Sequence, residues 1–206
     1  LTNHYTKLIM TTVLPSNIQE KIVEAAEERF RYYGYRKTTM AEIAADIGMS
    51  AANLYRYFSN KEDIGAACVE RCFLRMEEVL REVIVRKDIS AEEKLLVFIL
   101  NKLDYIYNET INNPKINELT EMFISERAEL LDKKKQVIQS LIAEILAEGN
   151  RNGEFAIKDL LNTSESFASA TVAFGFPLFM FLYPKDKFQQ MAKDVVALLV
   201  TGLKTR

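Results

Sequence analysis

Residues 39–58 contain two helix-start signals separated by a glycine, and this short stretch constrains the fold more than any other feature of the chain. Thr39 is a good N-cap, and Glu42 three residues later completes a capping box. Gly48 then breaks the chain, and Ser50 caps a second short helix. A short helix, a tight turn with glycine and another short helix predict a helix-turn-helix unit.

Longer helices are predicted on both sides of this unit. Ser16 caps a helix that Gly34 ends, and a further helix starts at residues 59–60 and continues to about Val85. The predicted organisation is a leader, disordered or partly vector-derived, at residues 1–15, a helix-turn-helix domain at 16–62 and a second domain at 63–206.

The rest of the chain is also predicted to be helical. Only seven glycines and four prolines occur in 206 residues, so turn formers are scarce. After the cap at Ser90, the residues Leu96, Ile99, Leu103 and Ile106 recur at helical spacing. These patterns predict an all-α protein of about nine helices. The last four predicted helices are 115–131, 132–148, 159–183 and 185–203.

Charge and composition exclude several functions. The net charge is −2, so the chain as a whole is not basic, and any DNA binding must come from local chemistry. The most apolar run, Val172–Tyr183, is too short to span a membrane and is predicted to be a buried helix kinked at Gly175–Pro177. No basic-then-apolar signal segment is present, and we expect a cytoplasmic protein.

Reactive side chains are few. The chain has one histidine, His4, and it lacks the common phosphate-binding and nucleophile motifs, so we expect no enzyme activity, cofactor or metal site. Cys68 and Cys72 are one helical turn apart, which is compatible with a redox or metal pair. We interpret them as small buried helix residues, since free cysteine is among the most buried residue types.

The segment "TTMAEIAADIGMSAANLYRYFSNKEDI" resembles the DNA-binding domain of the TetR family of bacterial transcriptional regulators. The upstream segment "IVEAAEERFRYYGYRKTT" is also similar to the family pattern. One departure is Ile47, where the family usually has alanine, and this change is expected to alter packing against the turn. The matching positions are Thr39, Ile43, Ala44, Gly48, Ser50, Leu54, Tyr55, Tyr57, Phe58, Lys61 and Glu62.

Small residues at the start of the second short helix suit close approach to base edges in the major groove, which admits one helix. Ala51 or Ala52 can touch a thymine methyl group, and Asn53 can read a base edge, with adenine as the favoured partner. Leu54 and Phe58 are predicted to point inward. The resemblance implies that the Tyr55 hydroxyl donates to a phosphate, which positions the protein without specifying sequence.

The resemblance also implies that Thr39 and Lys61 lie at helix N-termini beside the DNA backbone. Arg56 and Tyr57 are further exposed candidates, although Arg56 is equally compatible with a solvated surface. The complete predicted DNA-binding set is Thr39, Ser50, Ala51, Ala52, Asn53, Tyr55, Arg56, Tyr57 and Lys61.

The last helix carries two apolar stripes, which predicts burial on more than one side. At the end of a very apolar region we interpret this as a homodimer interface, with an intramolecular core as the alternative. Two copies of the reading helix would then bind a palindromic double-stranded DNA operator. The predicted interface residues are Phe188, Met191, Val195, Leu198, Leu199 and Gly202.

Family resemblance implies a second domain that binds a small-molecule effector and shifts the fourth helix, which releases the DNA. The many Phe and Met residues favour an apolar or aromatic effector. The candidate pocket residues, each of which is alternatively ordinary core, are Tyr105, Tyr107, Met122, Phe123, Phe167 and Phe174. A dimeric repressor is therefore predicted, with an activator of the same family or a helical protein-interaction module as alternatives.

Overall fold

A computed structural model describes residues 17–113 and 115–204 of the chain. The predicted leader at 1–15 and the predicted cap at Ser16 lie outside the described residues. Within them the chain forms nine α-helices and two short 3₁₀ turns, which confirms the all-α prediction. The helices are α1 Asn17–Tyr33, α2 Met40–Asp46, α3 Ala51–Leu54, α4 Lys61–Ile84, α5 Ala91–Asn112, α6 Ile116–Glu126, α7 Ala128–Arg151, α8 Leu160–Ala170 and α9 Lys185–Leu203. The 3₁₀ turns are Val172–Gly175 and Pro177–Phe179.

Local capping explains where the short helices begin. The Thr39 hydroxyl accepts from the Glu42 main-chain N–H at 3.3 Å, and the Glu42 carboxylate accepts from the Thr39 N–H at 2.8 Å. Ser50 Oγ accepts from the Asn53 N–H at 3.2 Å, which fixes the start of α3. Gly48 supplies the left-handed turn between α2 and α3, with φ of 66°. The predicted caps of both short helices are confirmed.

Two clusters of buried apolar side chains hold these helices together. The N-terminal core joins α1, α2, α3 and the first half of α4, and it also receives Leu119 and Met122 from α6. The C-terminal core joins the second half of α4 to α5, α7, α8 and α9. Because α4 contributes to both cores, it connects the helix-turn-helix unit rigidly to the larger domain.

The predicted helix at 159–183 is wrong in its second half. The helix α8 ends at Ala170, and the Thr171 hydroxyl donates back to the Phe167 carbonyl oxygen at 2.8 Å. Phe176 then adopts an extended backbone (φ −126°, ψ 122°), as expected for a residue that precedes proline. The apolar run therefore forms two 3₁₀ turns instead of one kinked helix. Among the described residues, no helix combines the length and apolar character that a membrane crossing requires.

The junction between α6 and α7 also differs from the prediction, which placed it after residue 131. Arg127 leaves the helical conformation with φ −139° and ψ 40°, so the break comes earlier. Arg127 instead forms an ion pair with Asp63 at the start of α4. The break between α6 and α7 therefore coincides with a tertiary contact to α4.

Candidate nucleic-acid interface and ligand cavity

The exposed side of α3 and the turn after it form a surface that we call the reading face: Ser50, Ala52, Tyr55 and Arg56. All four are exposed, and the Tyr55 side chain is 53% exposed. Leu54 is fully buried in the N-terminal core, as predicted. Small side chains at the helix start and an exposed phenol one turn later give a surface that fits a groove and its flanking phosphates.

The remaining predicted DNA contacts are less open. Ala51 and Asn53 are half-buried at the edge of the reading face. Tyr57 was predicted to be exposed, but it is half-buried and packs on the N-terminal core, as Phe58 does. Its position one turn after Leu54 makes it a support for α3. Thr39 is exposed, and its hydroxyl takes part in the capping box of α2.

The Lys61 side chain serves the fold. Its Nζ donates to the carbonyl oxygens of Tyr35 and Thr38, both at 2.9 Å, and lies 4.5 Å from the centroid of the Tyr35 ring. These contacts fix the α1–α2 connection on the first turn of α4. Because the side chain is engaged within the protein, the predicted DNA contact of Lys61 is left to its main-chain N–H at the start of α4.

Ion pairs fix α2 against α1 behind the reading face. The Arg29 guanidinium donates to both carboxylate oxygens of Asp46, in one case at 2.9 Å, and lies 3.5 Å from a Glu42 oxygen. The hydrogen bond from Arg29 lowers the pKa of Asp46, and the bonds from Thr39 lower the pKa of Glu42. Both carboxylates stay ionised at neutral pH and hold α2 in place.

Contacts from α6 reach the helix-turn-helix unit directly. The Arg36 main-chain N–H donates to Glu118 at 2.9 Å, and the Arg36 guanidinium donates to Glu121 at 2.8 Å. Lys115 Nζ donates to the Tyr32 carbonyl oxygen at 2.8 Å. Gly65 on α4 allows close approach of α6, because a Cβ atom there would lie 2.7 Å from the Met122 methyl group and would require Met122 to shift. Sequence reasoning missed this junction, since its polar contacts join residues about eighty positions apart.

A cavity lies between α4, α5, α6 and the 3₁₀ turns. Its smaller lobe has a volume of about 130 Å³ and is enclosed mainly by apolar side chains of these elements, including Phe123, Met76 and Ile106. The larger lobe, of about 590 Å³, extends between α4, α5, α7 and α8. Phe73, Gly175 and other residues line both lobes, so the two lobes are adjacent. Its size and apolar walls suit a small molecule.

Of the six predicted pocket residues, the structure places only Phe123 in the cavity wall. Phe167 and Phe174 are buried in the C-terminal core, and Met122 is buried in the N-terminal core. Tyr105 donates to the Cys72 carbonyl oxygen at 3.1 Å and joins α5 to α4. Tyr107 packs on the C-terminal core, with Lys185 Nζ 5.7 Å from its ring centroid.

The two cysteines line the smaller lobe. Burial raises the pKa of the Cys72 thiol to about 11 and also raises that of Cys68. Both side chains are therefore neutral thiols at physiological pH and poor nucleophiles. Cys68 is buried, as the interpretation requires, whereas Cys72 on the same helix is half-buried.

Large apolar side chains are exposed on α8, on α9 and on the segment between them, and we call this set the α8–α9 face. Leu198 is 76% exposed and Leu161 is 73% exposed. The residues of this face are Leu161, Val172, Leu178, Phe179, Phe181, Leu182 and Leu198.

The predicted interface residues divide between this face and the protein interior. Leu198 and Gly202 point outward, whereas Met191, Val195 and Leu199 are half-buried on the C-terminal core. Phe188 is 2% exposed and packs against Phe174 with tilted rings and a centroid distance of 5.1 Å. Phe188 is therefore an intramolecular core residue, because it lies on the inner side of α9.

These features define a helix-turn-helix DNA-binding protein with a separate ligand cavity, and comparison with known proteins identifies the family. Residues 22–68 match the bacterial regulatory proteins of the tetR family, and residues 91–196 match the tetracyclin repressor-like C-terminal domain. The second match alone spans more than half of the chain. The protein belongs to the TetR family of transcriptional regulators, and the prediction of a DNA-binding regulator without enzyme activity is confirmed.

Similar proteins include two curated regulators. The chain is 26% identical over 188 residues to the fatty acid metabolism regulator protein of Bacillus subtilis, covering 89% of this chain and 94% of that protein. It is 27% identical over 157 residues to the regulator QacR of Staphylococcus aureus, covering 75% and 82%. A transcriptional regulator from Cytophaga hutchinsonii has a similar fold, with a TM-score of 0.71, 22% identity and coverage of 92% and 100%.

Proposed function

We propose that this regulator is a dimeric repressor that binds a palindromic operator and is released when a small apolar molecule enters the cavity. The observation that carries the proposal is the position of α6. Leu119 and Phe123 on this helix line the cavity, while Glu118 and Glu121 on the same helix bond to Arg36 of the helix-turn-helix unit. One helix thus contacts both the ligand space and the DNA-binding unit.

The DNA side of the proposal relies on the reading face. A helix as short as α3 reaches few base pairs, so one copy distinguishes sequences poorly. Two copies related by a two-fold axis read two half-sites, which requires a palindromic operator. Ser50 and Ala52 approach base edges, Asn53 reads a base from the edge of the face, and Tyr55 and Arg56 meet phosphates.

Dimerisation through the α8–α9 face supplies the second copy. Its large apolar side chains are exposed on one chain, and burying them between two copies would remove that apolar surface from water. Because α8 and α9 pack on the core that includes α4, the interface sets the distance between the two reading faces. The operator spacing then follows from the geometry of this interface.

The effector is proposed to be largely apolar. The walls of the smaller lobe are mostly aliphatic and aromatic, and the similar protein from Bacillus subtilis is named a fatty acid metabolism regulator. A ligand in the smaller lobe would press on Leu119 and Phe123 and move α6 relative to Arg36. Release occurs to the extent that the ligand prefers the DNA-free state.

Footprinting on DNA upstream of the regulator's own gene tests the proposal. We expect a protected palindrome at low salt, with affinity that falls steeply as salt is added. The logarithm of the binding constant falls by about 0.9 for each logarithmic unit of salt concentration and for each phosphate that is neutralised. A protected site without two-fold symmetry would contradict the dimeric operator. Reporter transcription that falls when the gene is deleted would favour the alternative, an activator of the same family.

A further inference from the structure

Two lysines on the same face of α5 are buried, but among the described residues only Lys94 has a carboxylate partner. Lys94 is fully buried, and its Nζ donates to both Glu148 carboxylate oxygens at 2.7 Å and to the Ile84 carbonyl oxygen at 2.9 Å. Lys102, two turns further along, is only 5% exposed. Its Nζ has one acceptor among the described residues, the Thr171 carbonyl oxygen at 3.5 Å. An ammonium group has three donors, so Lys102 is left largely unsatisfied.

The Lys102 ammonium lies beside Gly175. Lys102 lines the larger lobe, and Gly175 lines both lobes. A Cβ atom at Gly175 would lie 2.0 Å from Lys102 Cε and 2.9 Å from Nζ. The absence of a side chain at Gly175 therefore leaves space for the end of the lysine.

Other charged groups around the larger lobe leave Lys102 unneutralised. Asp132, Lys135 and Glu165 are exposed at its rim. Lys134 forms an ion pair with Glu70. No described carboxylate lies within ion-pair distance of Lys102, and burial alone lowers the pKa of this lysine to about 8. At neutral pH most of the protein thus carries a buried positive charge on Lys102 that has no ion-pair partner among the described residues.

We propose that Lys102 is the anchor for a ligand carboxylate, so that the effector is an apolar carboxylic acid whose anionic group lies beside Gly175. The proposal rests on the effector cavity described above and names the chemical class of its ligand. A carboxylate at this position would accept charge-assisted hydrogen bonds from donors that have no other partner. The apolar part of the molecule would extend into the lobes.

Calorimetric titration at pH 7 with decanoate and with decan-1-ol tests the anchor, because the two probes share their alkyl chain. We expect the wild-type protein to bind decanoate about tenfold more tightly than decanol. Lys102→Met should remove this preference by weakening decanoate about tenfold and leaving decanol unchanged. Lys158→Met, which removes an exposed lysine that lines neither lobe, should behave as the wild type.

Three outcomes would overturn the proposal: a wild type that does not bind decanoate, one that prefers decanol, or a Lys102→Met variant that retains the preference. Lys102→Gln serves in the same way if the methionine variant does not fold, as judged by thermal unfolding. A gel shift on the footprinted operator is run for every variant. Retained DNA binding without a carboxylate preference rejects the anchor alone, whereas absent operator binding by the wild type rejects the proposed function.

Discussion

The carboxylate of Glu118 accepts a hydrogen bond from the main-chain N–H of Arg36 at 2.9 Å. The same carboxylate lies against Gly34, where a Cβ atom would be 2.8 Å from one of its oxygens. Gly34 has φ of 91°, which favours glycine. The turn after α1 therefore holds the carboxylate in a close-fitting position, and α6 is attached to the helix-turn-helix unit through it.

We expect Glu118→Ala to lower the free energy of unfolding by about 1 kcal/mol, because Arg36 loses the acceptor of its N–H. Amide exchange at Arg36 should also become faster. Denaturant unfolding and hydrogen exchange measure the two effects. Glu144→Ala, an exposed glutamate on α7, is the control. Unchanged exchange at Arg36 would show that the α6 junction does not stabilise the turn.

Tyr55→Phe removes only the exposed hydroxyl of the reading face. We expect operator affinity to fall about three- to tenfold on every sequence with an unchanged order of preference, because a phosphate contact carries no sequence information. Gel shifts on a set of operator variants measure this. Tyr32→Phe is the matched control, since Tyr32 is 77% exposed at the end of α1. The substitution leaves in place the main-chain carbonyl oxygen of residue 32, which accepts from Lys115 of α6. A changed sequence preference would contradict the phosphate role.

Leu198→Glu should yield monomers in analytical ultracentrifugation. The side chain is 76% exposed, so a charge there disturbs the α8–α9 face and leaves the core intact. A charge at Val195 is also expected to give monomers, but it would strain the C-terminal core as well. Leu74→Glu, at a 46% exposed leucine on α4, is the control. A stable Leu198→Glu dimer would argue against this face as the interface.

Lys94→Met should reduce the free energy of unfolding by about 3 kcal/mol, because the substitution leaves the largely buried Glu148 carboxylate without its partner. Urea unfolding measures the loss. Lys185→Met breaks the half-exposed pair with Asp104 and should cost less than about 1 kcal/mol. Equal losses for the two variants would show that burial does not strengthen the Lys94 pair.

The pH dependence of stability should reveal Lys102. Burial lowers its pKa from the ordinary 10.5 to about 8, so the unfolded chain binds more protons than the folded protein between these values. The wild type should therefore gain a few kcal/mol of stability relative to Lys102→Met as the pH rises from 8 to 10.5. The raised pKa of Cys72 acts in the opposite direction, but it is present in both proteins and cancels. A pH-independent difference would place the Lys102 ammonium in contact with water.

Sequence reasoning succeeded where local chemistry decides the structure. The caps at Thr39 and Ser50 and the turn at Gly48 depend on neighbouring residues, and all three are as predicted. The helix predicted through Thr171 failed, because apolar periodicity does not report a side-chain hydroxyl that bonds back to the preceding turn or the extended residue before Pro177.

The cavity could not be predicted in the same way. Apolar spacing shows that Phe167 and Phe123 face inward, but it does not show which of them meets another side chain and which meets empty space. A usable signal was present in α5, where Lys94 and Lys102 interrupt the same face at intervals of four residues around Phe98. Charged residues within an apolar stripe indicate either a buried ion pair or a polar ligand. Lys94 forms such an ion pair, and the proposed carboxylate anchor Lys102 is the second case.

The continuous helix α4 has a practical consequence for dissecting the protein. Ile64 and Cys68 belong to the N-terminal core, and Met76 and Leu80 on the same helix belong to the C-terminal core. A fragment that ends at the predicted domain boundary after residue 62 would lack both Ile64 and Cys68, as well as the covering side chains of α6. The DNA-binding unit is therefore not an autonomous module joined by a linker. It depends on the helices that follow to complete its interior, so its operator recognition is best studied with the larger domain present.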